Sequence, residues 1–140
     1  MDGDLDGLWS LVRAFYEIDH HDVDPARIER GLKPLLVDDT YGQVWVVDAA
    51  GDLVGYAVVT WSWSLESGGR DSILDEIYVE TRSAGTGSRL LSAALAGARQ
   101  AGARAVFLET EAHNERVRSF YQRHGFAVED SVWMSRSLLA

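Results

Sequence analysis

A strand, a glycine-bearing turn, a helix and a second strand follow one another in the second half of the chain. Ser72–Val79 is rich in Ile, Tyr and Val, which favour strands. The apolar residues of Ser88–Gln100 recur at helical spacing, and Gly102 suits the end of that helix. Ala105–Glu109 then reads as a short strand. Two strands joined through a helix lie parallel with a right-handed crossover, so the chain is constrained to a mixed α/β fold.

Further helices and strands are predicted on both sides of this unit from hydrophobic periodicity and turn residues. Before it, helices are expected at Leu5 to about Glu17 and from Pro25, followed by the hairpin of Gln43–Val47 and Leu53 to about Leu65. After it, a helix at Glu115–His124 and strands at Phe126–Val128 and Val132–Ser137 are expected.

Composition limits the classes of function. The 140 residues are 46% hydrophobic, which predicts one globular domain spanning 1–140. A formal charge of −9 argues against nucleic-acid and anionic-membrane partners. There is no cysteine, so a thiolate nucleophile and a disulfide framework are excluded. The acidic start lacks the features of a signal peptide, and no apolar run reaches membrane-spanning length, so a cytoplasmic location is expected.

The turn from Arg82 to Gly87 has two interpretations. Main-chain N–H groups at a helix start, with no side chain on Gly85 or Gly87, make a site for a pyrophosphate, to which Arg82 adds charge. The glycines could instead serve only the tight backbone geometry of the turn. No Gly-Lys-Ser/Thr follows, so a nucleoside-triphosphate P-loop is excluded.

Asn114 and Tyr121 are seven residues apart, close to two helical turns, and Gly125-Phe126 follows them. This spacing places both polar side chains on one helix face. Alone, Asn114 could be a helix N-cap, and Tyr121 could be a core residue with a solvated hydroxyl.

Asp75 and Glu76 interrupt an otherwise apolar strand. Since neighbouring strand residues point to opposite faces, at most one of them should face a cleft unless a bulge intervenes. Alternatively, both carboxylates could lie near a sheet edge in solvent or in ion pairs.

Taken together, these residues resemble the GNAT superfamily of acyl-CoA-dependent N-acetyltransferases over roughly Gly42 to the C-terminus. The resemblance is carried by the order of elements and by three motifs: Leu74-Asp75-Glu76-Ile77-Tyr78-Val79, Arg82-x-x-Gly85-x-Gly87, and Asn114 through Phe120-Tyr121 to Gly125-Phe126. It implies a mixed, mostly antiparallel sheet of six to seven strands, with about four helices on its two faces and a splayed parallel pair at its centre. The family's usual first strand has no counterpart here, so either the start is truncated or a partner chain completes that edge.

The resemblance also implies that acetyl-CoA is the acyl donor. The residues implied in its binding are Ile77, Tyr78 and Val79 along the pantetheine arm, Arg82, Gly85, Thr86, Gly87 and Ser88 at the pyrophosphate, Asn114 at the arm, and Tyr121 beside the thioester sulfur. Many relatives pair as dimers, which leaves a homodimer as an open expectation. No metal site is implied.

The expected function is direct acetyl transfer, in a ternary complex, to a primary amine of a small molecule or peptide. Glu76 is the candidate general base, Asp75 is the reserve, and Tyr121 is the candidate acid. The alternative is a non-catalytic acyl-CoA-binding module of the same fold.

Five aromatic residues could line the acceptor pocket. Trp61 and Trp63 share one strand face, and Tyr16, His20 and His21 lie near the end of the first helix. Core packing is the favoured role for the tryptophans, and a solvated loop is favoured over a metal site for the histidines.

Overall fold

Four helices and four strands make up the part of the chain that the computed structural model describes, residues 5–19, 21–80 and 85–139. The chain divides into two units, Met1–Leu108 and Glu109–Ala140. The first unit holds, in order, α1 (Leu5–Ile18), α2 (Pro25–Val37), β1 (Gly42–Ala49), β2 (Asp52–Ser64), β3 (Gly69–Val79), α3 (Thr86–Gln100) and β4 (Val106–Phe107). The second unit holds α4 (Glu115–Arg123).

The strands form one sheet in the order β1-β2-β3-β4. The first three strands are antiparallel neighbours, whereas β3 and β4 are parallel and are joined through α3. The predicted parallel pair is therefore confirmed, but it lies at one edge of the described sheet and not at its centre. Its ladder covers only Ser72 with Val106 and Ile73 with Phe107. Beyond Ile73, no described strand pairs with this edge of β3.

The expected number of strands was too high. The sheet of the described residues has four strands, not six to seven. Phe126–Val128 and Val132–Ser137 have strand-like composition but form no strand, and the predicted strand Ala105–Glu109 shortens to Val106–Phe107. Strand propensity alone does not make a strand, because a β-strand needs a partner for its ladder of hydrogen bonds. The sequence pattern indicates strand propensity, but it does not show whether a neighbouring strand is present to pair with.

Helices pack on both faces of the sheet. On one face, α1 and α2 form a buried cluster with β2, made of Leu8, Leu11, Val12, Ile28, Leu32, Tyr56 and Val58. On the other face, α3 contributes the buried residues Leu90, Leu91, Ala94 and Ala98. The alternation of side chains along β2 separates the two faces, with Tyr56 and Val58 on the first and Ala57 and Val59 on the second.

Local signals explain where α2 begins. Asp24 has extended backbone dihedrals, and its side chain accepts a hydrogen bond from the Arg27 N–H at 3.3 Å. Pro25 occupies the first helical position, where a missing N–H costs nothing. This start fixes the helix that forms one wall of the cavity described below. None of the described helices is long and apolar enough to cross a bilayer.

Candidate active site

A β-bulge in β3 brings the two strand carboxylates to one side of the sheet. Val58 of β2 pairs with Glu76, but its neighbour Val59 pairs with Leu74, so Asp75 is the extra residue. The extra residue breaks the alternation of side chains at this point. Asp75 and Glu76 consequently both line the same cavity. The sequence prediction allowed both carboxylates to face one cleft only if a bulge intervened, and the structure has that bulge.

Two tyrosines fix the carboxylate of Glu76. The Tyr16 hydroxyl of α1 donates to Oε2 at 2.6 Å, and the Tyr56 hydroxyl of β2 donates to Oε1 at 2.7 Å. Burial raises the pKa of Glu76, while these two hydrogen bonds act in the opposite direction. Each carboxylate oxygen retains a further lone pair that can accept a proton from a substrate or a water.

Both tyrosine hydroxyls are protonated at neutral pH and can therefore donate to the carboxylate. Burial and the nearby charge of Glu76 raise the pKa of both Tyr16 and Tyr56. Sequence reasoning named Tyr16 only as a residue that could line the cleft, and it missed Tyr56. The contact of Tyr56 with Glu76 depends on the bulged register of β2 and β3, which the sequence does not display.

The carboxylates open into a cavity of about 560 Å³ between α1, α2 and the sheet. This volume is within the range of small-molecule sites. Its walls are mainly apolar, and Thr60 and Tyr41 add hydroxyl groups. Asp75 is accessible to solvent, yet desolvation by the surrounding protein raises its pKa. The cavity therefore offers two adjacent carboxylates, one pinned and one accessible, to a substrate of modest size.

The start of α3 has the geometry expected of a phosphate site. Gly85 is the N-cap residue in the left-handed region, with φ of 85°, and no side chain caps the helix there. Such a helix start directs main-chain N–H groups and the positive end of the helix dipole outward. Gly87 and the buried Thr86 follow in the first turn. These residues fit a pyrophosphate group. Arg82 lies outside the described residues.

Arg89 is a cationic residue of this turn that sequence reasoning missed. Its Nη1 lies 3.5 Å from the point where a Cβ on Gly85 would stand, and its Nη2 lies 3.5 Å from the Thr86 hydroxyl. Its position four residues after Gly85, one helical turn away, is the signal that could have revealed it.

Ile77, Tyr78 and Val79 lie on the part of β3 that has no partner on its β4 side among the described strands. Tyr78 also packs its ring against Phe15, with centroids 5.6 Å apart, so its side chain contributes to the core while its main chain lies at the sheet edge.

The second unit contains Asn114 and Tyr121. Asn114 is the N-cap of α4, and its Oδ1 accepts a hydrogen bond from the Val117 N–H at 3.2 Å, as one of its two interpretations expected. Tyr121 is buried and packs edge-on against Phe120 and Phe126. Burial raises its pKa to about 12, so its hydroxyl stays protonated at neutral pH.

Among the remaining aromatic candidates, Trp61, Trp63 and His21 do not line the cavity. Trp63 is 79% exposed, so its predicted role in core packing is wrong. It lies near the end of β2. Trp61 donates from Nε1 to the Asp39 carbonyl at 2.8 Å. His21 lies 2.7 Å from the carboxylate of Asp19, and His20 lies outside the described residues.

Comparison with known families decides the assignment. Residues 5–126 match the model of the acetyltransferase (GNAT) family. This chain belongs to the GNAT family. The resemblance drawn from its three motifs is thus confirmed.

Two relatives are similar in sequence. An uncharacterised N-acetyltransferase of Bacillus subtilis, YhfO, is 35% identical over 85 residues, which cover 59% of this chain and 57% of the relative. The mycothiol acetyltransferase of Propionibacterium freudenreichii is 31% identical over 135 residues, or 91% of this chain and 41% of the relative. The chain thus spans about half the length of the curated relatives that it matches.

Solved structures share the fold of this GNAT chain. An integron cassette protein from a salt-marsh metagenome superposes with a TM-score of 0.86 at 27% identity, covering 99% of this chain and 87% of that one. The aminoglycoside N-acetyltransferase AAC(6')-Iy, solved in complex with CoA, superposes with a TM-score of 0.79 at 20% identity, covering 99% and 91%.

Proposed function

We propose that this GNAT protein transfers an acetyl group from acetyl-CoA to a primary amine of a small molecule or peptide. The observation that carries the proposal is the carboxylate of Glu76, oriented by two tyrosine hydroxyls at the wall of a substrate-sized cavity. An oriented carboxylate next to an empty volume suits a general base. Family membership supplies the class of reaction.

The base is needed because an aliphatic amine is mostly protonated. With an amine pKa of about 10, only about one molecule in a thousand is the neutral nucleophile at pH 7, a penalty of roughly 4 to 5 kcal/mol. Glu76 accepts the proton directly or through a water. Its raised pKa brings it closer to neutral pH, where a base is more effective. Asp75, on the same side of the bulge, is the reserve.

The donor would be held by the strand edge and the helix start. Ile77, Tyr78 and Val79 offer open main-chain groups to the pantetheine arm, and the turn at Gly85 to Ser88 offers N–H groups to the pyrophosphate. In this proposal Arg82 adds positive charge, as the resemblance implied. Asn114 contacts the arm, a role that its N-cap hydrogen bond allows because the amide NH₂ remains a donor.

The bond changes follow from these groups. The amine nitrogen bonds to the thioester carbonyl carbon, and Glu76 receives the proton that the nitrogen loses. A main-chain N–H near Val79 stabilises the negative charge on the carbonyl oxygen. The carbon–sulfur bond then breaks, and the Tyr121 hydroxyl protonates the departing thiolate. With no cysteine to carry an acyl group, direct transfer in a ternary complex is the simplest scheme.

The test is thiol release from acetyl-CoA against a panel of primary amines, run beside thermal shifts with CoA. The proposal expects a thermal shift with CoA and amine-dependent release of free thiol. A shift without thiol release from any amine would instead identify a non-catalytic acyl-CoA-binding module. If neither a thermal shift with CoA nor thiol release is observed, acyl-CoA has no part in the function of this protein.

A further inference from the structure

Charged and apolar residues are unevenly distributed around the cavity in the first unit. Its charged lining residues are the adjacent Asp75 and Glu76 and, on the α2 wall, the solvent-exposed Arg27. Most of the other lining residues are apolar, including Val12, Ile28, Leu32 and Leu35. An apolar volume with negative charge at one place and positive charge at another suits a substrate that carries a single cation.

We propose that the acceptor is a monoamine with an apolar body, and that Arg27 is a specificity-determining residue that excludes a second positive charge. The ammonium lies against Asp75 and Glu76, and the body lies against the apolar wall. This inference rests on the proposed function, since it names the substrate class of the same site.

Arg27 lies on the α2 wall of the cavity and is exposed to solvent. It is the third residue of α2, and its Nη2 donates to the Asp22 carbonyl at 3.3 Å. Its charge lowers the pKa of Tyr16, against the larger effects of burial and Glu76. Arg27 is therefore within electrostatic range of the hydroxyl that holds Glu76. A second ammonium entering the cavity would meet this guanidinium.

The overall charge of −9 would favour the opposite conclusion, because it attracts polycations. Attraction at long range is not the same as a fitted site. A polyamine or aminoglycoside needs a carboxylate or hydroxyl partner for each of its separated polar groups, or it leaves them desolvated. The cavity gathers its two carboxylates at one bulge and lines the rest mainly with carbon. Its local chemistry favours one ammonium.

The test compares 2-phenylethylamine with spermidine as acceptors for the wild type and the Arg27→Glu variant. Glutamate at the third position of a helix with an Asp N-cap is favourable, so the variant should fold. The wild type should prefer 2-phenylethylamine in kcat/KM. Reversal of the charge at Arg27 should move the ratio towards spermidine by about tenfold, because attraction replaces repulsion at the solvent-exposed wall of the cavity.

Two controls separate local from general charge effects. Arg30→Glu makes the same change in net charge at a second exposed residue of α2 that does not line the cavity, and it should leave the ratio near the wild-type value. Arg27→Lys keeps the charge and should keep the preference. A wild type that prefers spermidine, or an Arg30 variant that shifts the ratio as far as the Arg27 variant, would overturn the inference.

Failure of the inference and failure of the proposed function give different results. Thiol release with spermidine as the better wild-type acceptor leaves the transferase intact and removes the monoamine. If no amine releases thiol, calorimetric affinities of the two amines for the wild type and the Arg27→Glu variant, measured without acetyl-CoA, still decide the inference. If the wild type bound spermidine more tightly than 2-phenylethylamine in these calorimetric measurements, the inference would be refuted.

Discussion

The Tyr16 hydroxyl and the Glu76 carboxylate are 2.6 Å apart, although 60 positions separate the two residues in the chain. This hydrogen bond joins the first helix to the bulge of β3 and so couples the cavity wall to the candidate base. Tyr56 completes the arrangement from β2 on the other carboxylate oxygen. The base is therefore positioned by two neighbouring elements rather than by its own strand.

Removal of the Tyr16 hydroxyl should raise the pKa of Glu76 further. The hydrogen bond from Tyr16 lowers that pKa against the larger effect of burial, so Tyr16→Phe leaves burial less opposed. The acidic limb of the kcat/KM profile is expected to move to higher pH, and the free energy of unfolding to fall by about 1 kcal/mol. Tyr41→Phe is the matched control, because Tyr41 lines the cavity but does not bond Glu76. Equal shifts in both variants would argue against a positioning role.

Glu76→Gln tests the base itself. Without a carboxylate, the reaction depends on amine that is already neutral, so the pH optimum should move upward. Asp75→Asn is the companion variant, and it should shift the optimum less. An unshifted profile for Glu76→Gln, together with a shifted one for Asp75→Asn, would make Asp75 the base.

The raised pKa of Glu76 also predicts that the free energy of unfolding depends on pH, and Glu76→Gln tests this. The folded-state pKa of Glu76 is raised, so the folded chain holds this proton more tightly than the unfolded chain. Between the ordinary pKa and the raised one, the unfolded state binds fewer protons, and the stability of the wild type falls as pH rises. Denaturant unfolding at several pH values should show Glu76→Gln gaining stability relative to the wild type across that window. A pH-independent difference would contradict the raised pKa.

Tyr121→Phe should lower turnover more than it weakens acetyl-CoA binding. Burial keeps the hydroxyl protonated at neutral pH, which is the state that a thiolate acid needs. Phenylalanine preserves the ring contacts with Phe120 and Phe126, so the loss is confined to the hydroxyl. Steady-state kinetics beside calorimetric CoA affinities separate the two effects, and unchanged turnover would remove Tyr121 as the acid.

Sequence periodicity predicted the elements whose signals are local. The hairpin of β1 and β2, the helix α3 and the parallel pairing of β3 with β4 all follow from spacing, turn residues and handedness. The two carboxylates of Asp75 and Glu76 were also visible. The sequence could not decide whether the two carboxylates face the same side of the sheet, because a bulge is a property of strand register and not of composition.

What the sequence missed depends on contacts between distant segments. Tyr56 meets Glu76 only once β2 and β3 are in register, and Arg89 approaches Gly85 only once the helix has formed. The strands expected at Phe126–Val128 and Val132–Ser137 have the composition but no ladder. In each case the local sequence pattern did not determine which distant residue or strand would make the contact.

Gly85→Ala should weaken CoA binding and also cost stability. A φ of 85° is unfavourable for a residue with a Cβ, by about 1 kcal/mol or more, and the added methyl group enters the proposed pyrophosphate site. Gly102→Ala is the matched control, since it has a φ of 92° and open space around it. Both variants should lose similar stability, but only Gly85→Ala should lower the calorimetric affinity for CoA. Equal affinities would place the pyrophosphate elsewhere.

Gly97→Ala should destabilise the first unit through overpacking. A Cβ on Gly97 would overlap the Trp45 ring and lie 2.7 Å from the Gln43 Oε1, which already accepts a hydrogen bond from the Trp45 Nε1 at 3.2 Å. The tryptophan has to move for α3 to stay against β1, at a cost of about 1 to 3 kcal/mol.

Gly31→Ala is the control for that substitution, because it lies within α2 and its Cβ would have nothing within 4 Å. It should gain up to about 1 kcal/mol from helix propensity alone. Urea unfolding followed by tryptophan fluorescence measures both variants. If Gly97→Ala proved as stable as Gly31→Ala, the close approach of α3 to Trp45 would be absent in solution, and the helix that presents Gly85 would rest on other contacts.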